Sequence, residues 1–225
     1  MKEPLSTLSC HKHPAYFSVE GLHYGANGPY SFNCAANECL GIRGVTGVGK
    51  TLLLRVLADL DRHEGKILLS GKECSTYSAP DWRRHVALVP AESRWWYSTV
   101  GSHITAGEKE VDIGGLLAPL GFEKDVLDWD VKRLSSGEKQ RLAVVRALVH
   151  TPSVLLLDET GSGLDHQSCL LLEGLVNAYQ HEYNAAVLWV SHDDEQLERV
   201  AQRIMSLERN RLKITPGSRP IERVI

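Results

Sequence analysis

Between residues 16 and 42 apolar and polar positions alternate, with breaks at Gly25, at Asn27-Gly28-Pro29 and at Asn37. A period of two interrupted by turn formers predicts two or three short strands. After residue 50 the period changes: Leu52, Leu53, Val56, Leu57 and Leu60 recur at helical spacing, which predicts a helix whose apolar stripe packs on a sheet. Residues 61–65 end it. Strands are expected at 66–70 and 85–89, separated by a polar segment with Gly71 and Pro80. From residue 90 to 133 strand patterning is lost and glycines scatter, with short helical stretches at 113–120 and 123–127, so this portion reads as an inserted helical subdomain. Further on, helices are expected at 134–150, 167–179 and 195–200, and a last strand at 203–207. The runs 154–157 and 185–190 are wholly apolar, as strands in the middle of a parallel sheet must be.

A chain of 225 residues can bury one substantial core, alone or with a smaller subdomain, so residues 1–225 are expected to form one domain. Lys and Arg number 25 against 28 Asp and Glu, a net charge of -3, so nothing overall argues for a nucleic-acid or anionic-membrane binder acting through a positive field, and only local patches stay open. Five cysteines, an odd number without a C-x-x-C pair, fit a reduced intracellular protein. No signal-peptide stretch opens the chain and no apolar run approaches the roughly 18 residues of a membrane helix, so any work at a membrane needs a partner to hold the chain there. Cys10, His11 and His13 stand close enough for a metal cluster, but further ligands are not evident and a mobile terminus is the better expectation.

Residues 44–51, GVTGVGKT, fit the pattern G-x-x-x-x-G-K-[ST] between an apolar run and a helical one. Gly44, Gly47 and Gly49 let backbone N–H groups turn inward around phosphate oxygens, Lys50 reaches the β- and γ-phosphates, and Thr51 is placed to hold Mg²⁺. The helix that follows, beginning at Lys50, Thr51 and Leu52, adds its positive end. Asp158 and Glu159 close the apolar run 154–157. Charges beside apolar surroundings are costly unless a cation or a reaction needs them, so Asp158 is the expected Mg²⁺ partner and Glu159 the group that orients or deprotonates the attacking water. His192 ends the next apolar strand, on the sheet edge where ligands collect, and is a candidate γ-phosphate contact. Tyr24 precedes a breaker, where it either stacks on a base or sits half-buried in a strand. Trp95-Trp96-Tyr97 either fill the subdomain's core or form an apolar docking patch.

Together these residues, from Tyr24 to about Leu207, resemble the ATP-binding-cassette (ABC) ATPases. The sequence LSSGEKQR at 134–141 is similar to the cassette signature, which begins LSGGQ in that family and contacts the γ-phosphate of ATP on the opposite subunit. VLLLDE followed by GSGLD resembles the family's Walker B strand and D-loop, and Ser191-His192-Asp193 its switch histidine. The resemblance implies an α/β fold: a P-loop NTPase core with a mostly parallel sheet, an N-terminal antiparallel β subdomain and an inserted helical subdomain. It also implies ATP and Mg²⁺, with Lys50, Glu159 and His192 catalytic, Thr51 and Asp158 on the metal, Tyr24 stacking on the base, and Ser135, Ser136 and Gly137 completing the site of a second copy. The implied partners are that copy in an ATP sandwich and a separate integral membrane permease, without nucleic acid. The implied place is cytoplasmic, peripheral on the inner face of the cell membrane through the permease. Within the family the chain looks most similar to ATPase subunits of small bacterial ABC systems, iron exporters included. A soluble ABC ATPase of nucleic-acid repair or translation is the alternative, as is a module that binds ATP without turning it over.

Three motifs depart from the family pattern. Ala91 stands where the Q-loop glutamine is usual, with Glu92 beside it. Ser136 and Glu138 replace glycine and glutamine in the signature, and Thr160-Gly161 replaces the usual Pro-Thr of the D-loop. Since Lys50, Asp158, Glu159 and His192 persist, hydrolysis is expected to survive with altered coupling to the partner.

Overall fold

The computed structural model describes residues 16–105 and 111–219, so Cys10, His11 and His13 lie outside the described residues. The N-terminal alternation folds into β1 (Phe17–Tyr24), β2 (Asn27–Cys34), β4 (Glu64–Leu69) and β5 (Lys72–Glu73), an antiparallel sheet in the order β2-β1-β4-β5. A second sheet contains β3 (Cys39–Arg43), β6 (Val86–Val89), β7 (Val154–Asp158), β8 (Ala186–Val190), β9 (Arg203–Glu208) and β10 (Arg211–Pro216), in the order β10-β9-β3-β8-β7-β6. All its pairs are parallel except β9 with β10.

The apolar runs have a structural cause. Along β7, Val154 and Leu156 face a core shared with the antiparallel sheet and the helix α1 (Lys50–Leu57), while Leu155 and Leu157 face the opposite core with the helices α4 (Ser136–Leu148) and α5 (His166–Tyr183). Both faces are covered, so polar alternation is lost. In α1, Leu53, Leu54, Val56 and Leu57 are fully buried. An eight-residue helix is too short to hold itself in water, so burial worth about 1.5–3 kcal/mol per side chain keeps it, and the loop before it, in place.

The structure corrects several expectations. Leu60 is exposed rather than on the packed stripe, because α1 stops at Leu57 and Asp59 turns left-handed at φ 55°. His85 ends a helix, α2 (Ala79–His85), instead of starting a strand. Ser78 caps it by accepting from the Asp81 N–H, and buried Trp82 donates from Nε1 to the Leu57 carbonyl at 2.9 Å, fixing it to the end of α1. The stretch from 90 to 133 holds α3 (Ile113–Leu117) and several 3₁₀ turns, and its apolar side chains Val100, Leu117, Leu120 and Val126 join the core under α4 and α5. A final helix, α6 (Asp194–Val200), precedes β9.

Because β3, β8 and β7 are neighbours in a parallel array, the segments leaving their C-terminal ends meet at one sheet edge. Those segments carry the phosphate loop, His192 and Glu159.

Candidate nucleotide site

Each loop glycine has its own reason. Gly47 and Gly49 adopt φ of 81° and 102°, and a Cβ on Gly44 would lie 2.6 Å from the Leu207 carbonyl of β9. Helix α1 starts without a side-chain cap and without an acidic residue in its first turn, which leaves its N-terminal end open to an anion. Lys50 is 7% exposed, and its Nζ donates to the Gly44 carbonyl at 2.8 Å.

Glu159 sits at the end of β7 with φ 51°, a left-handed conformation that is uncommon outside glycine and turns the carboxylate back toward the loop. His192 Nε2 lies 3.3 Å from Lys50 Nζ and 3.1 Å from Glu159 Oε1, and the His192 N–H donates to Glu159 Oε2 at 3.3 Å. One Nε2 cannot accept from the lysine and donate to the carboxylate at once. Glu159 Oε1 has no hydrogen bond of good geometry, which leaves the lysine as the better partner of Nε2. Burial pushes the Glu159 carboxyl above its ordinary value against the opposing charges of His192 and Lys50. A base held in this way gains affinity for a proton. A cleft of about 370 Å³ collects Lys50, Thr51, Leu52, Glu159 and His192. It also admits Arg55, which the pattern alone did not single out and which pairs with Asp61 at 2.6 Å.

Asp158 is 2% exposed, and its Oδ1 is buried with no hydrogen-bond partner. Burial raises its pKa, opposed by the Thr51 hydroxyl and by Lys50. An orphaned carboxylate oxygen beside a hydroxyl is a donor set of the hard type that Mg²⁺ takes, so Asp158 and Thr51 fit that ion. A carboxyl whose folded pKa is raised costs stability once ionised, so stability falls as pH rises through that value. Asp158→Asn is therefore expected to raise the melting temperature of the chain without Mg²⁺ at neutral pH and to abolish any further rise on adding Mg²⁺, as read by calorimetry.

Tyr24 ends β1 and lines a shallow cleft with His23, Gly25, Arg62 and His63. Its ring is 2% exposed and packs toward Tyr30 at 5.8 Å, with Cε2 3.5 Å from where a Cβ of Gly49 would stand. In this conformation the ring packs in the core and against the loop at Gly49.

Ser135, Ser136 and Gly137 lie at the start of α4 and do not line the Lys50 cleft. Ser135 caps the helix by a full capping box. Its N–H and hydroxyl each donate to Glu138 Oε2 at 2.8 Å, and its Oγ accepts from the Glu138 N–H at 3.2 Å. The Ser135 N–H and then its hydroxyl hold the Glu138 carboxyl below its ordinary value.

Ala91 and Glu92 are both exposed. The segment bearing them is attached to α4: Gln140 Nε2 donates to the Pro90 carbonyl at 2.9 Å and Arg146 Nη1 to the Arg94 carbonyl at 2.9 Å. Gly161 has a packing reason that its sequence position did not reveal. A Cβ there would meet Gln196 Nε2 at 2.7 Å and Cys169 Sγ at 3.2 Å, and Gln196 is held by Glu173 at 3.0 Å. Gly161→Ala is expected to cost about 1–3 kcal/mol by overpacking this network, measured by urea denaturation.

Trp95, Trp96 and Tyr97 divide between the two expectations. Trp95 packs on the core, whereas Trp96 and Tyr97 are 67% and 55% exposed. His103 fixes the pair: its Nε2 accepts from the Trp96 and Tyr97 N–H groups at 2.8 and 2.9 Å, and Nδ1 then donates to the Thr99 carbonyl at 3.0 Å.

Among the described residues no helix is long and apolar enough to cross a membrane, and no cluster of three or more His, Cys, Asp or Glu could hold a metal.

Residues 28–162 match the family model described as ABC transporter. The chain is 33% identical over 190 residues to the aliphatic sulfonates import ATP-binding protein SsuB 1 of Nocardia farcinica, covering 83% of this chain and 74% of that one. It is 30% identical over 186 residues to the probable iron export ATP-binding protein FetA of Escherichia coli, covering 79% and 82%. Among solved structures, a bacterial Atm1-family ABC exporter with ATP bound superposes with a TM-score of 0.80 at 22% identity, covering 92% of this chain and 39% of that one. An ATP binding subunit of an ABC transporter gives 0.78 at 22% identity, covering 89% and 90%. The chain belongs to the ABC transporter family. It is an ATP-binding subunit of that family, an ATPase with the P-loop α/β fold.

Proposed function

We propose that two copies of this chain close head to tail around two ATP molecules and drive a separate integral membrane permease, which holds them on the cytoplasmic face of the membrane. Each ATP would lie on the loop of one copy, with Lys50 on its phosphates and Thr51 and Asp158 on Mg²⁺. Glu159 would take the proton of the attacking water, and His192 would contact the γ-phosphate. Ser135, Ser136 and Gly137 of the other copy would close the site. Phosphoryl transfer asks a protein mainly for position and charge, and this set supplies both.

The observation that carries this reading is the separation of the two halves. The cleft gathers Lys50, Thr51, Glu159 and His192 but is not lined by Ser135 to Gly137. The test is dimerisation. Glu159→Gln is expected to trap an ATP-bound dimer, seen as a doubled mass by light scattering; a chain that stays monomeric with ATP rules the sandwich out.

A cavity of about 560 Å³ lined by Leu60, Arg83, Trp96, Tyr97, Arg146 and His150 supports the permease as partner. Exposed aromatics rimmed by polar groups are typical of interaction sites. Trp96→Ala is expected to weaken permease binding by about tenfold or more while leaving ATP affinity intact, measured by calorimetric titration. The segment before Trp96 is bonded to α4 through Gln140 and Arg146, a contact by which docking there would be felt by the helix that Ser135 caps.

A further inference from the structure

The capping box at the start of α4 has a consequence for the shared site. The two-copy reading places Ser135 at the ATP of the other copy, and both of its donors, the N–H and the hydroxyl, are already bonded to this chain's own Glu138 carboxylate at 2.8 Å. Ser135 is exposed, so the donors are accessible, but the site arrives with a negative charge in place. A glutamine at this position would accept the same bonds through a neutral amide oxygen. After the Ser135 bonds, Arg141, one turn along the helix, also lowers the Glu138 pKa through its charge, but it makes its contacts elsewhere: its Nη1 donates to the Leu120 carbonyl at 3.0 Å and its guanidinium stacks over Phe122 at 4.8 Å. Lys139 is the adjacent residue, half-buried, and its backbone carbonyl accepts from Ser93.

We propose that Glu138 gates closure of the dimer: its carboxylate occupies Ser135 and must be displaced, or tolerated at close range, before the phosphate of the second copy's ATP binds there. This rests on the two-copy reading above. The helix end attracts anions, and an internal carboxylate satisfies that attraction before ATP does. Two like charges in one partly dehydrated site also repel, which raises the ATP concentration needed for closure. Glu138 is thus a residue that sets sensitivity to ATP and plays no part in the chemical step.

The test uses Glu159→Gln chains, in which hydrolysis is stopped, with and without Glu138→Gln. ATP is titrated and the dimer fraction read by analytical ultracentrifugation. Adding Glu138→Gln is expected to lower the ATP concentration for half-dimerisation about tenfold, and that gap is expected to narrow in high salt because its origin is charge. Binding of a fluorescent ATP analogue to dilute monomer is expected to be unchanged, since Glu138 does not line the Lys50 cleft. The melting temperature is also expected to hold, because the amide preserves the cap. An equal or higher ATP requirement with Glu138→Gln, or a gap that ignores salt, overturns the gate while leaving the sandwich standing. If Glu159→Gln alone never dimerises with ATP, the two-copy reading fails and the gate with it.

Discussion

Lys50→Ala is expected to eliminate steady-state phosphate release from MgATP and to weaken ATP binding by at least about 100-fold, a loss of roughly 3 kcal/mol or more. The magnitude follows from the lysine's setting. Lys50 is 7% exposed, its ammonium donates to the Gly44 carbonyl and lies 3.3 Å from His192 Nε2, so its removal takes away a positioned charge that water in the cleft does not reproduce. The fold itself is expected to survive, because α1 is held by Leu53, Leu54, Val56 and Leu57 and not by Lys50. A phosphate-release assay paired with a binding titration distinguishes loss of the phosphate contact from loss of structure. Lys50→Arg is not expected to rescue, since the planar guanidinium does not replace a compact point charge curled inside a loop.

Glu159→Gln is expected to lower turnover by about 10²–10⁴-fold while leaving ATP affinity unchanged or higher. The amide keeps the shape but cannot take a proton, and it removes a negative charge near the γ-phosphate. The pH profile provides a second readout. Only the ionised carboxylate acts as base, so activity falls with acidification. Because burial raises the Glu159 pKa, that acidic limb is expected above the value of about 4.3 of a free glutamate. An acidic limb at or below the ordinary value would argue that Glu159 is not the group that titrates.

The elements that position the site were legible in the chain because each carries a strong local pattern. The loop has its glycines and lysine in fixed order, and β8 and residues 154–157 of β7 are wholly apolar because helices and a second sheet cover both their faces. Strand β10 was not legible: Arg211 and Lys213 dilute its apolar positions and Pro216 ends it, as befits an edge strand whose strand pairing is with β9 alone. Helix α2 is seven residues long and depends on a Ser78 cap and one buried tryptophan, too little for periodicity to register. Tyr24 shows the limit for side chains. Its place in the chain fits a base platform, but which way the ring turns is decided by Tyr30 and Gly49 across the fold. The contacts of Gly161 with Gln196, and of Gln140 with Pro90, join residues more than 30 positions apart and so leave no local trace.

The central claim is that one ATP site needs two copies of this chain, and complementation tests it most directly. Lys50→Ala disables the loop and Ser135→Arg disables the donors offered to the other copy, so each variant alone is expected to be inactive. In an equal mixture the mixed dimer carries one site with both defects and one site with neither. Phosphate release is therefore expected to recover to about a quarter of the unmodified chain's rate, from random pairing of two-fold symmetric subunits. A mixture as inactive as its components, under conditions where the unmodified chain dimerises, would contradict the shared site.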